Sequence, residues 1–270
     1  MTGIVDRPAS SAPGAGGRHP SAGGGPSDLP ALRRAILARK PFLRRVLAGW
    51  YREIARCLGA APPGPVLELG SGPGFLGQAV PGVIRSEVTW QPGLDLVADG
   101  GRLPVRDGML GGLVLINVLH HLPAPREFFG EAVRCLAPGG NLVMIEPWGG
   151  WWASLVYRAL HTEEFDPTRP LWEGNRGDPL TGGNNAIPWI LFRRERERFP
   201  AEIPALEIVA CRPCHPLRYL ASGGIGSSFS LPLAAFRPIE LLERLLRPWR
   251  EALGLFVLLH LRRRPPASAP

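Results

Sequence analysis

The sequence is poor in three things. Lys40 is its single lysine among 31 basic side chains, so almost all the positive charge is guanidinium. Its four cysteines, at 57, 135, 211 and 214, are too few and too scattered to staple a disulfide scaffold. The longest apolar stretch, LGLFVLLHL at 253–261, falls far short of the roughly 18–20 residues that a membrane-spanning helix needs. The opening residues, MTGIVDRPASSAPGAGG, also lack the apolar stretch of about 7–15 residues in a secretory signal. These absences exclude a disulfide-rich secreted module and a helical membrane span, and they lead us to expect a cytoplasmic protein.

What is present suffices for a sizeable core. The chain has 270 residues, 45% of them hydrophobic, and a formal net charge of +8. Such a charge commonly points to nucleic acid or an anionic surface. Here it accompanies 34 glycines and 31 prolines, and reads as compositional bias.

Two thirds of residues 1–30 are Gly, Pro, Ser or Ala, a composition that cannot bury enough surface to offset its ordering entropy. A disordered tail is expected there, and a short one at 265–270. Over 31–58 the pattern turns helical. Leu32 and Ile36 form one stripe, and Leu43, Val46, Trp50, Ile54 and Leu58 a second, with Pro41 between them. Eight basic side chains against Glu53 alone make this a basic helical arm. Its charges read first as a solvated face, and second as a peripheral contact with an anionic membrane or a phosphate.

From residue 60 the chain alternates. Apolar strands are expected at 65–69, 83–88, 95–99, 112–117 and 141–146, with helices around 75–80 and 126–136. Residues 149–205 lose the alternation and are rich in Trp, Gly, Asn and Pro, with one helix around 187–199. A strand at 205–211, a helix at 238–247 and a last strand at 254–261 follow. Such alternation implies an α/β fold, a mostly parallel sheet with helices on both faces.

The informative stretch is Val66-Leu67-Glu68-Leu69-Gly70-Ser71-Gly72-Pro73-Gly74, a buried strand running into G-x-G-x-G. Glycine is required where a turn needs unusual backbone angles or a ligand must approach the main chain. The spacing differs from the G-x-G-x-x-G of dinucleotide sites. With Asp99 in ADGGRLPVRDG, NVLHHL at 117–122 and LAPGGNLVMIEPW at 136–148, the sequence resembles the class I S-adenosylmethionine-dependent methyltransferases. The likeness is to the small-molecule type, including the ubiquinone/menaquinone-type group, and covers about residues 60–148.

The resemblance implies a Rossmann-like, doubly wound, mostly parallel seven-stranded sheet with an antiparallel last strand. It further implies S-adenosyl-L-methionine as cofactor. Gly70, Ser71, Gly72 and Gly74 would wrap its methionine portion, with Glu68 near the ammonium group. Glu87 would accept bonds from the ribose hydroxyls, with Asp95 as a rival. Asp99 and the Gly100 backbone would meet the adenine, and Asn117 would close the pocket. The chain departs from the family twice: a six-residue connection leaves no room for a helix between the second and third strands, and Gly111-Gly112 replaces an acid at the start of the fourth, which would loosen it.

Methyl transfer asks a protein mainly to align the acceptor with the methyl carbon and to exclude water. Pocket candidates on the acceptor side are His120, His121, Glu146 and Trp148; no catalytic residue is named by the sequence, and no metal is expected. The domain would span 59–264, with an acceptor-side cap at 149–205. Trp148, Trp151, Trp152 and Tyr157 either line a fairly apolar acceptor pocket or pack as a hydrophobic cap. The segment Cys211-Arg-Pro-Cys214-His215 matches a haem-attachment pattern by coincidence, since it falls at the end of an expected strand. The loop 181–185 is a lid hinge or a plain loop. The rival readings are a non-catalytic scaffold of the same fold and a nucleotide-dependent oxidoreductase; nucleic-acid methylation is a lesser option.

Overall fold

A computed structural model describes residues 29–59, 61–160, 163–175 and 182–265. The expected tails therefore lie outside the described residues apart from their inner edges, where Leu29 and Pro30 already belong to a helix. The elements in chain order begin with α1 (Leu29–Arg39), α2 (Pro41–Leu58), β1 (Val66–Leu69), β2 (Ile84–Glu87), β3 (Leu96–Val97) and β4 (Leu110–Ile116). Next come α3 (Pro125–Cys135), β5 (Leu136–Pro147), α4 (Trp151–Leu160), α5 (Ile187–Trp189) and α6 (Arg198–Glu202). The chain closes with β6 (Leu206–Cys214), α7 (Arg218–Ala221), α8 (Phe236–Leu245), α9 (Arg250–Leu253) and β7 (Phe256–Arg263).

The seven strands form one sheet in the order β3-β2-β1-β4-β5-β7-β6. β7 runs antiparallel to both β5 and β6, and the other pairs are parallel, as expected from the sequence. Alternation along the central strands feeds two cores. Leu113, Leu115, Leu142 and Met144 meet Phe128, Phe129, Leu191, Phe192 and Phe199 on one face. Val114, Val143 and Ile145 meet Phe42, Val46, Trp50 and Ile54 of α2 on the other. The second stripe of the basic segment thus covers the sheet. No described helix is long and apolar enough to cross a membrane.

Lys40, between α1 and α2, is 6% exposed. Its ammonium donates to the main-chain carbonyls of Ser222, Gly224 and Phe229 at 3.5, 2.7 and 3.1 Å, and to that of Ser227. A compact point charge with rotatable donors suits such a cage, where a planar guanidinium does not. Hydrogen bonds to a charged group contribute about 1.5–3 kcal/mol, and carbonyls deprived of their donor carry a further cost. Lys40→Met is therefore expected to cost about 3 kcal/mol, lowering the melting temperature by about 6–12 °C. Differential scanning calorimetry checks this; an unchanged transition would show the cage to be incidental.

At the Gly111-Gly112 pair the β4–β5 ladder shifts register between Leu110 and Gly112, but the start of the strand is closely packed. A Cβ on Gly111 would lie 2.6 Å from the Pro62 carbonyl oxygen, and one on Gly112 would lie 2.6 Å from Leu58 Cδ2. The glycines let the α2–β1 connection press across the start of β4, so the departure reflects close packing. The helix missing between the second and third strands is also absent from the fold: residues 88–95 join β2 to β3 without one. Asp95 instead clasps Arg85, accepting from its backbone N–H at 2.8 Å and from its guanidinium at 3.1 and 3.3 Å.

The helix expected at 187–199 is broken into α5, a wide turn at Ile190–Arg194 and α6.

Candidate active site

The site lies beyond the carboxyl ends of β1, β2 and β4, where open parallel sheets hold ligands. Gly70, Gly72 and Gly74 follow β1 with φ of 73°, 51° and 74°, the left-handed region that glycine enters without a Cβ penalty. At Gly70 space matters too, since a Cβ would come within 2.4 Å of Val118 Cγ2. The loop is tied back to β2: the Gly70 and Ser71 N–H groups and the Ser71 hydroxyl all donate to the Ser86 carbonyl at 2.9–3.0 Å. Above Gly72 and Gly74 there is space among the described residues: an added Cβ would meet only Arg33 Nη1, at 3.4 Å, and the Arg85 side chain, at 3.6 Å.

Three polar groups face this loop. Glu87, 9% exposed at the end of β2, accepts the Gly72 N–H at 2.6 Å. Burial raises its carboxyl, while that N–H and the nearby Arg33 charge oppose the rise. Glu68 on β1 is 3% exposed, and its Oε2 has no hydrogen-bond partner among the described residues. Burial, and then the Glu87 charge, push Glu68 up to about 8 against the opposing pull of Arg85. Asn117, just beyond β4, holds φ 55° with its N–H on the Ile145 carbonyl, and its buried Oδ1 also lacks a partner. Buried polar atoms in native folds are nearly always paired, so two orphaned oxygens at one end of a sheet mark a place built for donors from outside.

Beyond β3, Asp99 is exposed and accepts the Gly101 N–H at 2.9 Å. Gly100 is buried, and a Cβ there would meet Leu122 at 3.0 Å and Leu69 at 3.2 Å. Asp95, the rival to Glu87, is committed to Arg85.

On the far side of Asn117 the histidine pair forms a second polar cluster. Glu146 accepts the Val118 and Leu119 N–H groups through Oε1, at 2.9 Å each, and holds His120 Nδ1 with Oε2 at 2.7 Å. Glu163, from the segment after α4, lies 3.6 Å from His120 Nε2 and 3.8 Å from His121 Nε2. Burial disfavours a charged His120, yet Glu146 and Glu163 outweigh it and push the imidazole up to about 9. Burial, and then the charge on His120, bring His121 down to about 4. A Cβ on Gly183 would touch His120 at 2.8 Å and His121 at 3.0 Å. The described part of loop 181–185 is therefore packed against the pair, while Thr181 lies outside the described residues.

Trp148 sits elsewhere. It is 1% exposed within the core on the α3 side, and its indole N–H donates to the Glu251 carbonyl at 3.3 Å. Much of the aromatic cap is likewise packing: Trp172 and Phe199 have ring centroids 5.9 Å apart, and the Tyr157 hydroxyl donates to the Leu255 carbonyl. Trp151 alone of the 148–157 aromatics is largely exposed. Cys211 and Cys214 stand three apart on β6, so strand parity sends them to opposite cores. Burial pushes both thiols up to about 12, so they are unsuited to shared ligation or redox work.

Two contributors escaped the sequence reading. Arg33 is one of eight basic residues whose charges read as solvated, and Glu163 is one of three acids in Glu163-Glu164-Phe165-Asp166, a segment without a motif.

The strand order, the antiparallel β7 and the glycine turn after β1 define the Rossmann-like methyltransferase fold. Residues 67–144 match the model of a family described as a methyltransferase domain. Among solved structures the chain is similar to geranyl diphosphate C-methyltransferase from Streptomyces coelicolor A3(2), solved with Mg2+, geranyl diphosphate and S-adenosyl-L-homocysteine. The two share 16% identity over 92% of this chain and 90% of that one, with a TM-score of 0.51. A second structure of that enzyme, with geranyl-S-thiolodiphosphate, gives 17% identity, coverages of 81% and 77%, and a TM-score of 0.50. At such identities the likeness is one of fold. No curated protein sequence matches the chain significantly.

Proposed function

We propose that the protein transfers a methyl group from S-adenosylmethionine to a small, fairly apolar acceptor. The observation that carries this reading is the pair of orphaned oxygens, Glu68 Oε2 and Asn117 Oδ1, beside a glycine loop with open main chain. They fit a cofactor that brings an ammonium group and further donors to the ends of β1 and β4. When bound, that cofactor supplies a methyl group on a good leaving group, its sulfonium.

The protein's work is then binding and alignment. Gly70 to Gly74 let the cofactor lie against the main chain, and Glu68 accepts from its ammonium. Glu87, already fixed by the Gly72 N–H, offers its other oxygen to the ribose hydroxyls. Asp99 and Gly100 border the adenine, and Asn117 closes the pocket between cofactor and acceptor. His120, His121 and Glu146 form the polar wall on the acceptor side. The apolar character of the acceptor is supported by the similarity to an enzyme solved with geranyl diphosphate.

Calorimetric titration with S-adenosylmethionine and with its demethylated product tests the reading. Micromolar binding followed by radiolabelled methyl transfer to isoprenoid-like acceptors is expected. A folded protein that binds neither compound would overturn it in favour of a scaffold role.

A further inference from the structure

We propose that His120, His121 and Glu163 bind a divalent transition-metal cation of the zinc type, with Glu146 as the carboxylate that orients His120. These residues belong to the acceptor-side wall and not to the cofactor's ligands, so metal binding can be tested apart from methyl transfer.

The donor atoms of the three side chains all lie within 4.8 Å of one another. The two Nε2–carboxylate separations, 3.6 and 3.8 Å, exceed hydrogen-bonding length. Around a tetrahedral zinc, with bonds of about 2.0–2.2 Å, neighbouring ligand atoms stand about 3.4 Å apart. Those two separations need a few tenths of an ångström of closure onto a shared cation. The rest of the donor set, within 4.8 Å, needs a further adjustment of the partly exposed His121 and Glu163 side chains. One Glu163 oxygen faces each imidazole, so either can serve as the single carboxylate donor.

The orientation is also that of a built site. A metal-binding histidine characteristically directs its other ring nitrogen to a carboxylate, which fixes the tautomer and aims the lone pair. His120 does this through Nδ1 and Glu146 at 2.7 Å, and Glu146 is itself pinned by two backbone N–H groups. Asn185 donates to Glu163 Oε2 at 3.4 Å from the opposite side, and Gly183 backs the two rings closely. Two imidazoles and one carboxylate suit zinc or iron(II) better than magnesium, which prefers oxygen ligands. Three protein ligands leave one position open, and His121 and Glu163 retain 19% and 16% exposure beside the buried His120. The arrangement is that of a catalytic rather than a purely structural zinc site, with room for a water or an acceptor oxygen.

Zinc titrated into chelator-treated full-length protein, in competition with a chromophoric chelator, tests the proposal. One equivalent per chain is expected. Glu163→Gln and His121→Ala should each weaken binding at least ~100-fold, and Glu146→Gln, which keeps all three ligands, by ~10–100-fold. Each variant's melting temperature without metal establishes that it folds; Glu163, partly exposed, is the substitution least able to disturb the core. A Cys211→Ser/Cys214→Ser double variant should bind zinc as the wild type does. Absence of competition with the chelator, binding unchanged by Glu163→Gln and His121→Ala, or binding lost in the cysteine variant would each overturn the assignment.

Discussion

Gly72→Arg is expected to abolish detectable cofactor binding, a loss of at least ~100-fold, while leaving the sheet intact. Among the described residues only Arg33 approaches the position where the new Cβ would sit, so the side chain has no described core to disrupt. The Gly72 N–H that donates to Glu87 is retained by any residue except proline. What changes is the space above the main chain, which an arginine fills with bulk and positive charge. The positive φ of 51° adds strain of about 1–2 kcal/mol, enough to lower the melting temperature by a few degrees but not to unfold the domain. Gly72→Ala should carry the strain with little of the obstruction and lose far less affinity. A folded Gly72→Arg protein that binds S-adenosylhomocysteine as the wild type does would move the cofactor away from this loop.

Glu68→Gln is expected to act in opposite directions on binding and on stability. The substitution is isosteric but removes the charge that would face the cofactor's ammonium. Hydrogen bonds to charged groups contribute about 1.5–3 kcal/mol, so affinity at pH 8.5 should fall ~10–100-fold. The unliganded fold, however, holds Glu68 up to about 8, far above the ordinary carboxylate range. In that interval the folded chain keeps a proton that the unfolded chain has released. The stabilisation is complete below the ordinary carboxylate value and is lost as pH rises through about 8. Wild-type melting temperature should therefore decline between pH 5 and 8, and Glu68→Gln should remove that part of the slope. Parallel melting profiles for the two proteins would refute it. The same linkage makes cofactor affinity rise with pH up to about 8, because an ammonium partner favours the ionised acid.

The parts of the fold that could be read from the sequence are those whose signal is local. β4 and β5 are buried on both faces, so they stand out as runs of apolar residues, GLVLI and NLVMI. The glycine turn was legible because no other residue takes those backbone angles cheaply. Gly111-Gly112 had an ambiguous local signal: glycine marks close approach as well as an irregular strand, and only the crossing chain at Pro62 reveals the close approach. α4 escaped because Trp151 and Trp152 suggest a pocket wall, whereas Ala153, Val156 and Tyr157 supply its buried stripe. Of the candidate site, the acids and glycines around β1 and β2 could be named because the family resemblance carries over residue by residue onto the strand ends. Glu163 and Arg33 could not, because each reaches the site from a separate segment through tertiary packing alone. Lys40 is the extreme case, since its partners are main-chain oxygens more than 180 residues away and have no side-chain signature.

That cage has a consequence for how the surface reacts. With the one ε-ammonium enclosed by carbonyls, no solvent-facing lysine offers a nucleophilic amine to acylating reagents, aldehydes or amine-directed cross-linkers. The exposed positive charge is carried entirely by guanidinium groups, which stay protonated throughout the range in which proteins remain folded. Lysine-based footprinting would find the molecule almost silent, and reagents selective for arginine would map its whole basic surface.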